Sequence, residues 1–380
     1  MTYIDAASYT YVVESYDASF SRDTLLEHQA ELAEAVINIL WTRFPHYEEL
    51  MGTAGKLKCR QDIEYHFMYL ADAVGTESEK LFFSYIKWVK NLFSAIGVPH
   101  ESFRQSLIAM REAIAGISSL EAERDINTGK NIFERPDTLL QKSIQAFEML
   151  SDANNSFISL EAPLGQLARN YLDALLSRER DKAMRLVLDA VENGTDVREI
   201  YEHVFQITQW EIGRLWQENK VNVAQEHYCT AVTQLVMSRL YPYIFNHKKN
   251  GLVFVGTSVG DELHELGIRM ITDFFELDGW DTYFLGANTP LESIIETAVQ
   301  EKAHVVGISV TITYHISEAK RIIAAVRARP ELAKTKVLVG GYPFNLEPGL
   351  WKKLGADGSA TSAREAIQTA RLLVTGRKSR

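Results

Sequence analysis

The chain has 380 residues, 46% hydrophobic and 24% charged, with a net charge of −10. That length allows two or three domains, and the acidic balance, with no basic block, speaks against direct binding to nucleic acid or an anionic membrane. No apolar run nears the ~20 residues that span a bilayer. The N-terminus lacks the basic and apolar regions of a signal peptide, and two distant cysteines, Cys59 and Cys229, make no disulfide framework, so a cytoplasmic location is expected.

Residues 21–150 read as helices with short breaks. Thr24 and Glu27 form a capping box before Leu32, Val36, Ile39 and Leu40 at helical spacing, and Pro45 ends that segment. Thr76 and Glu79 repeat the box before LFFSYIKWVKNLF, which Gly97 and Pro99 close. The polar stretches 125–137 and 151–156 read as a loop and a linker. Four helical segments follow, at 164–178, 180–193, 196–218 and 222–246. Their short breaks make sequential helices antiparallel, which predicts a four-helix bundle.

From Gly251 the period changes. Short apolar runs (LVFVG, DTYFLG, HVVGISV, KVLVGG and DGSAT) alternate with helical patterns at 263–277, 290–301, 316–328, 347–353 and 362–375. Such alternation predicts a parallel sheet covered by helices, in the flavodoxin-like order, with its ligand crevice at the carboxyl ends of the strands. The chain is thus multidomain: an all-α domain over 1–155, a bundle over 160–248 and a flavodoxin-like α/β domain over 250–380.

The loop after the first strand reads GTSVGDELHELG, from Gly256 to Gly267. His264 offers an imidazole to a metal, and either Asp261 or Glu262 is near enough to take its other N–H. Gly267 leaves room for a bulky ligand beside the following helix. Glu262-x-His264-x-x-Gly267 resembles the E/D-x-H-x-x-G signature of base-off, His-on cobalamin-binding domains. Ser309-Val310-Thr311 ends the third strand and Gly340-Gly341 the fourth, where that family carries its Ser motif and its paired glycines. The resemblance implies His264 as lower cobalt ligand, with Asp261, Glu262, Gly267, Ser309, Thr311, Gly340 and Gly341 around the cofactor.

In the bundle, Trp216 is followed after nine residues by Glu226-His227. A bundle Trp is usually core and a Glu-His pair usually solvated. The spacing nonetheless is similar to that of CarH-type B12 photoreceptors. It implies that Trp216, Glu226 and His227 cover the upper face of adenosylcobalamin, with His227 as an upper ligand after light breaks the cobalt–carbon bond. The N-terminal segment from Lys56 to Phe67 resembles the bilin-attachment segment of phycobiliproteins. There Cys59 matches the attachment cysteine, Asp62 the pyrrole acceptor and Tyr65 an aromatic wall, with Arg60 and His66 beside them. Biliverdin is the implied pigment, and the implied fold is globin- or phycobiliprotein-like. A haem pocket using His66 or His100 is another reading.

The domain order is similar to that of the photocobilins. That resemblance implies a light sensor without catalytic activity, a light-dependent homo-oligomer acting on a separate output protein. The alternative is a corrinoid methyl carrier, which also places a helical bundle before this domain.

Overall fold

The structure is a computed structural model describing residues 18–121, 133–150, 155–245 and 248–376. The chain divides into two compact units, Met1–Asp152 and Ala153–Arg380. Among the described residues, no helix is long and apolar enough to cross a membrane.

The first unit is helical throughout. Residues 18–27 are helical. They lead into α1 (Gln29–Arg43), α2 (His46–Gly75), α3 (Glu79–Ala95), α4 (His100–Glu121) and α5 (Glu134–Ala146). Leu32, Val36, Phe67, Leu70, Phe82 and Phe103 are buried in its core. Two expected helix starts are corrected. Thr24 lies inside the helical stretch 18–27 and starts nothing. Thr76 is the C-cap of α2 and gives its hydroxyl to the Asp72 carbonyl at 2.6 Å, while the extended Ser78 leads into α3. Most of the expected loop 125–137 and linker 151–156 lies outside the described residues; where the loop is described, α5 already begins at Glu134.

In the second unit, α6 (Gly165–Leu176) and α7 (Arg180–Glu192) are followed by a rod: α8 (Val197–Ile200), a π turn (Tyr201–Phe205) and α9 (Gln206–Gln217). Asn222 and Gln225 then form a capping box that starts α10 (Val223–Ile244). The four predicted rods are present. The π turn is new, a wide turn that sequence periodicity does not mark.

The sheet region runs β1 (Val253–Ser258), α11 (Leu266–Leu277), β2 (Asp281–Gly286), α12 (Leu291–Gln300), β3 (Val305–Ser309), α13 (Ile316–Ala328) and β4 (Lys336–Gly340). The short α14 (Tyr342–Leu346) and α15 (Leu350–Leu354), β5 (Gly358–Ala360) and α16 (Ala363–Thr375) complete it. All pairings are parallel and the strand order is β2-β1-β3-β4-β5, as the alternation predicts. The order reverses at β1, so the loops after β1 and β3 flank the crevice. Met270, Phe274 and Leu277 of α11 enter the bundle's hydrophobic core. Bundle and sheet are also tied by Tyr201 donating to Asp273 at 2.8 Å and Gln234 donating to Glu265 at 2.8 Å.

Register explains where space is left. Parallel partners share a face, and one face of the sheet carries three rungs from bottom to top. The first holds Thr282, Phe254, Val305 and Lys336; the second Phe284, Gly256, Gly307, Leu338 and Gly358; the third Ser258, Ser309, Gly340 and Ala360. Helices α11 and α16 cover this face: a methyl on Gly256 would strike Thr272, and one on Gly358 would meet Thr369. Large side chains fill the lower rung. The upper rung has none, so a void opens beneath the helices at the carboxyl ends of the strands.

Candidate corrinoid site

That void is a cavity of about 610 Å³. Its walls come from α9 and α10 of the bundle, from the loops after β1, β3 and β4, and from α11 and α16. His264, Gly267, Ser309, Thr311, Gly340, Gly341, Glu226 and His227 line it.

The loop bearing His264 has no regular structure at residues 262–265, so α11 starts at Leu266 rather than at 263 as expected. The cause is Glu262. Its side chain is wholly buried, and one oxygen accepts the backbone N–H groups of Thr311 and Ile312, both at 3.0 Å. The same oxygen lies 3.4 Å from His315 Nδ1. The other oxygen meets His264 twice, at its backbone N–H (3.2 Å) and at imidazole Nδ1. Burial opposes charge on Glu262, but the hydrogen bonds from His264, His315 and the Ile312 backbone hold its carboxyl well below the usual range. The bond to Glu262 raises the His264 pKa against the opposing effect of burial, and the Glu226 carboxylate adds to the rise. With Nδ1 engaged, Nε2 is the His264 ring nitrogen left to coordinate a ligand, on a side chain 56% exposed.

Of the two acids that the sequence offers His264, the structure uses Glu262. Asp261 is exposed, with φ of 59°, and its backbone N–H goes to Asn288 at 2.7 Å. Gly341 has φ of 106°, and a Cβ there would lie 1.9 Å from the Val310 carbonyl, so no larger residue fits.

On the bundle side, His227 Nδ1 lies 2.6 Å from Glu226, and Thr230 donates to the other Glu226 oxygen at 3.1 Å. The imidazole of His227 is 69% exposed. Trp216 is half-buried in the last turn of α9 and is not among the lining residues. Trp210 lines the cavity instead, with Gln206, Gln209 and Gly213. Their spacing of 3, 4 and 7 marks one helix face, a signal present in the sequence, where Trp216 is singled out instead.

The segment expected to hold a bilin lies within α2. Cys59 is half-buried, and burial with the nearby Asp62 charge pushes its thiol up to about 11. Asp62 pairs with Lys58 at 2.9 Å, and Arg60 with Glu64 at 3.1 Å. Tyr65 is exposed. His66 turns into the core, 2.5 Å from the Tyr85 hydroxyl, and burial pushes it down to about 3. His100 lies at the start of α4 beside Ser94. Asp62, expected as the pyrrole acceptor, and Arg60 beside it are thus both ion-paired along the helix.

A parallel sheet with a carboxylate-backed imidazole at its switch point, facing a helical bundle, defines a B12-binding module. The comparisons agree: residues 252–368 match the B12 binding domain family, and residues 167–241 match a second B12 binding domain family. Dimethylamine corrinoid protein 1 of Methanosarcina mazei is 27% identical over 221 residues, 56% of this chain and 98% of that one. The structure of the Methanosarcina barkeri monomethylamine corrinoid protein covers 55% of this chain and 98% of its own, at 19% identity and a TM-score of 0.49. A methanol:cobalamin methyltransferase complex from M. barkeri covers 56% of this chain at 15% identity and a TM-score of 0.29.

These relatives correct the expectation of a sensor without catalytic activity. The M. mazei protein is a corrinoid protein named for dimethylamine, not for light. The residues present fit a corrinoid. The donor set offers one imidazole nitrogen backed by a buried acid, and the small upper rung leaves space beside it.

Proposed function

We propose that this chain is a corrinoid protein that carries a methyl group, with methyltransferases as partners. The observation that carries the reading is the extent of the likeness: 98% of the M. mazei dimethylamine corrinoid protein is matched, so the similarity takes in bundle and sheet together. When bound, the corrinoid supplies a cobalt that accepts and releases the methyl group. The chain supplies the rest. His264 offers Nε2 from below, and Glu262 fixes the tautomer and keeps the ring in place. Asp261, Gly267, Ser309, Thr311, Gly340 and Gly341 shape the loops around it. Glu226 and His227 face the same cavity from the bundle, where an imidazole can meet the cofactor's upper side.

The test compares two loadings of the full chain. A methylcobalamin-loaded chain should pass its methyl to a thiol in the presence of a corrinoid-dependent methyltransferase. An adenosylcobalamin-loaded chain should keep its size in chromatography under green light. Methyl transfer that never exceeds the rate with free methylcobalamin, together with a light-driven change in size, overturns the carrier reading in favour of a photoreceptor.

A further inference from the structure

We propose that Tyr85, in the first unit, is a redox-active tyrosine: a one-electron oxidant at the surface draws an electron from it through Trp88, and its phenolic proton passes to His66. These residues lie outside the regions that match the B12 binding families, so the inference stands apart from the corrinoid reading.

Three placements carry it. The first is a paired proton acceptor. His66 of α2 and Tyr85 of α3 are both buried, and His66 Nδ1 lies 2.5 Å from the Tyr85 hydroxyl. Burial pushes His66 down to about 3, so its imidazole is uncharged at neutral pH. With its proton on Nε2, the ring accepts the Tyr85 O–H at Nδ1. The second is stacking. The Tyr85 ring lies on Tyr69 at 3.6 Å and 12°, and two parallel faces in contact share a positive charge more easily than one ring holds it. The third is a route to the surface. Trp88, one turn further along α3, is nearly parallel to Tyr85, with 6.4 Å between ring centroids and 19° between planes. Trp88 is 38% exposed and Tyr85 only 6%, so an oxidant in solution meets the indole before the phenol.

A diffusing one-electron oxidant, such as an organic peroxyl radical, takes one electron from the Trp88 indole and becomes a hydroperoxide by gaining a proton from water. The indole radical cation then takes an electron from Tyr85. As the Tyr85 O–H bond breaks, its proton moves along the hydrogen bond to His66 Nδ1, which leaves a neutral phenoxyl radical beside an imidazolium. An oxidised phenol is far more acidic than an imidazolium, even one that burial disfavours, so the proton runs toward His66. A thiolate in solution returns one electron through Trp88 and leaves as a thiyl radical, and His66 returns the proton. The oxidising equivalent is held meanwhile in the core, where the phenoxyl ring cannot couple with a second radical.

The experiment oxidises the full chain with photogenerated tris-bipyridyl ruthenium(III) and follows radicals by transient absorbance and electron paramagnetic resonance. The wild-type chain should form a tyrosyl radical that outlives those of exposed tyrosines severalfold. Tyr85→Phe should lose that long-lived component and keep the short-lived ones. His66→Phe should lose it too, with a tryptophan radical in its place. Because Tyr85 and His66 are core, Trp88→Phe serves as a third variant: it changes an exposed ring, and the long-lived radical should then form severalfold more slowly. A long-lived tyrosyl radical that survives Tyr85→Phe, one that forms at the wild-type rate in Trp88→Phe, or none in the wild-type chain overturns the proposal.

Discussion

Glu262 and His264 stand two residues apart, one wholly buried and the other more than half exposed, joined through a carboxylate oxygen and imidazole Nδ1. The buried partner also holds the β3 loop through the N–H groups of Thr311 and Ile312. In the proposed site, Glu262 would therefore serve both the fold and the ligand, and His264 the ligand alone.

The two substitutions should separate accordingly. His264→Ala should leave thermal stability nearly unchanged and weaken cobalamin binding roughly tenfold or more, read by absorbance titration. Glu262→Gln should lower stability by about 1–3 kcal/mol, because an amide nitrogen must then face donors in a buried site. An unchanged melting temperature in Glu262→Gln would show that the carboxylate does not organise the loop.

The bundle wall gives a second contrast. Trp210 lines the cavity and Trp216 does not. Trp210→Ala should therefore reduce cobalamin affinity severalfold through lost apolar contact, while Trp216→Ala should change it less than twofold. The reverse ranking would restore Trp216 as the residue over the cofactor.

These contrasts mark how far the sequence could be read. The sheet was legible because buried parallel strands are short continuous apolar runs and their covering helices are amphipathic. The place of His264 in the cavity wall was legible because the E-x-H-x-x-G spacing lies within one loop. The choice between Asp261 and Glu262 was not, since it depends on the N–H groups of Thr311 and Ile312, about fifty residues away. Trp210 was missed because spacing alone does not say which face of α9 meets a cavity. Thr24 and Thr76 misled for a different reason: Thr, whose hydroxyl also bonds a preceding carbonyl, marks helix interiors and ends as well as starts. Cys59 and Asp62 resembled a pigment site in composition, but their environment is set by burial and by Lys58.

Asp273 should make stability depend on pH in an unusual direction. It lies buried at the join of bundle and sheet, accepting from Tyr201, with Arg269 and Glu276 nearby. Burial pushes its carboxyl up to about 7, against the opposing bond from Tyr201 and the charge of Arg269. A raised folded-state pKa means that the contribution is fully present below the unfolded value near 4 and is lost as pH rises through 7. Asp273→Asn imitates the protonated form and still accepts from Tyr201. Its melting temperature should match wild type at pH 4 and exceed it progressively between pH 5 and 8. The linked difference is about 4 kcal/mol at most. A constant offset across that range would place the titration elsewhere.

Cys59 should be a slow nucleophile. Its thiol is pushed up to about 11, so at pH 8 its thiolate fraction is about a hundredfold lower than that of an ordinary cysteine, and alkylation is slowed with it. Asp62→Asn removes the nearby negative charge and should speed the reaction, whereas burial, the larger cause, remains. Iodoacetamide labelling followed by mass spectrometry reads both rates on the full chain. Incubation with biliverdin should accordingly leave no thioether adduct on Cys59. An adduct forming within minutes at neutral pH would mean that the thiol is activated in solution and would return this helix to consideration as a pigment-attachment site.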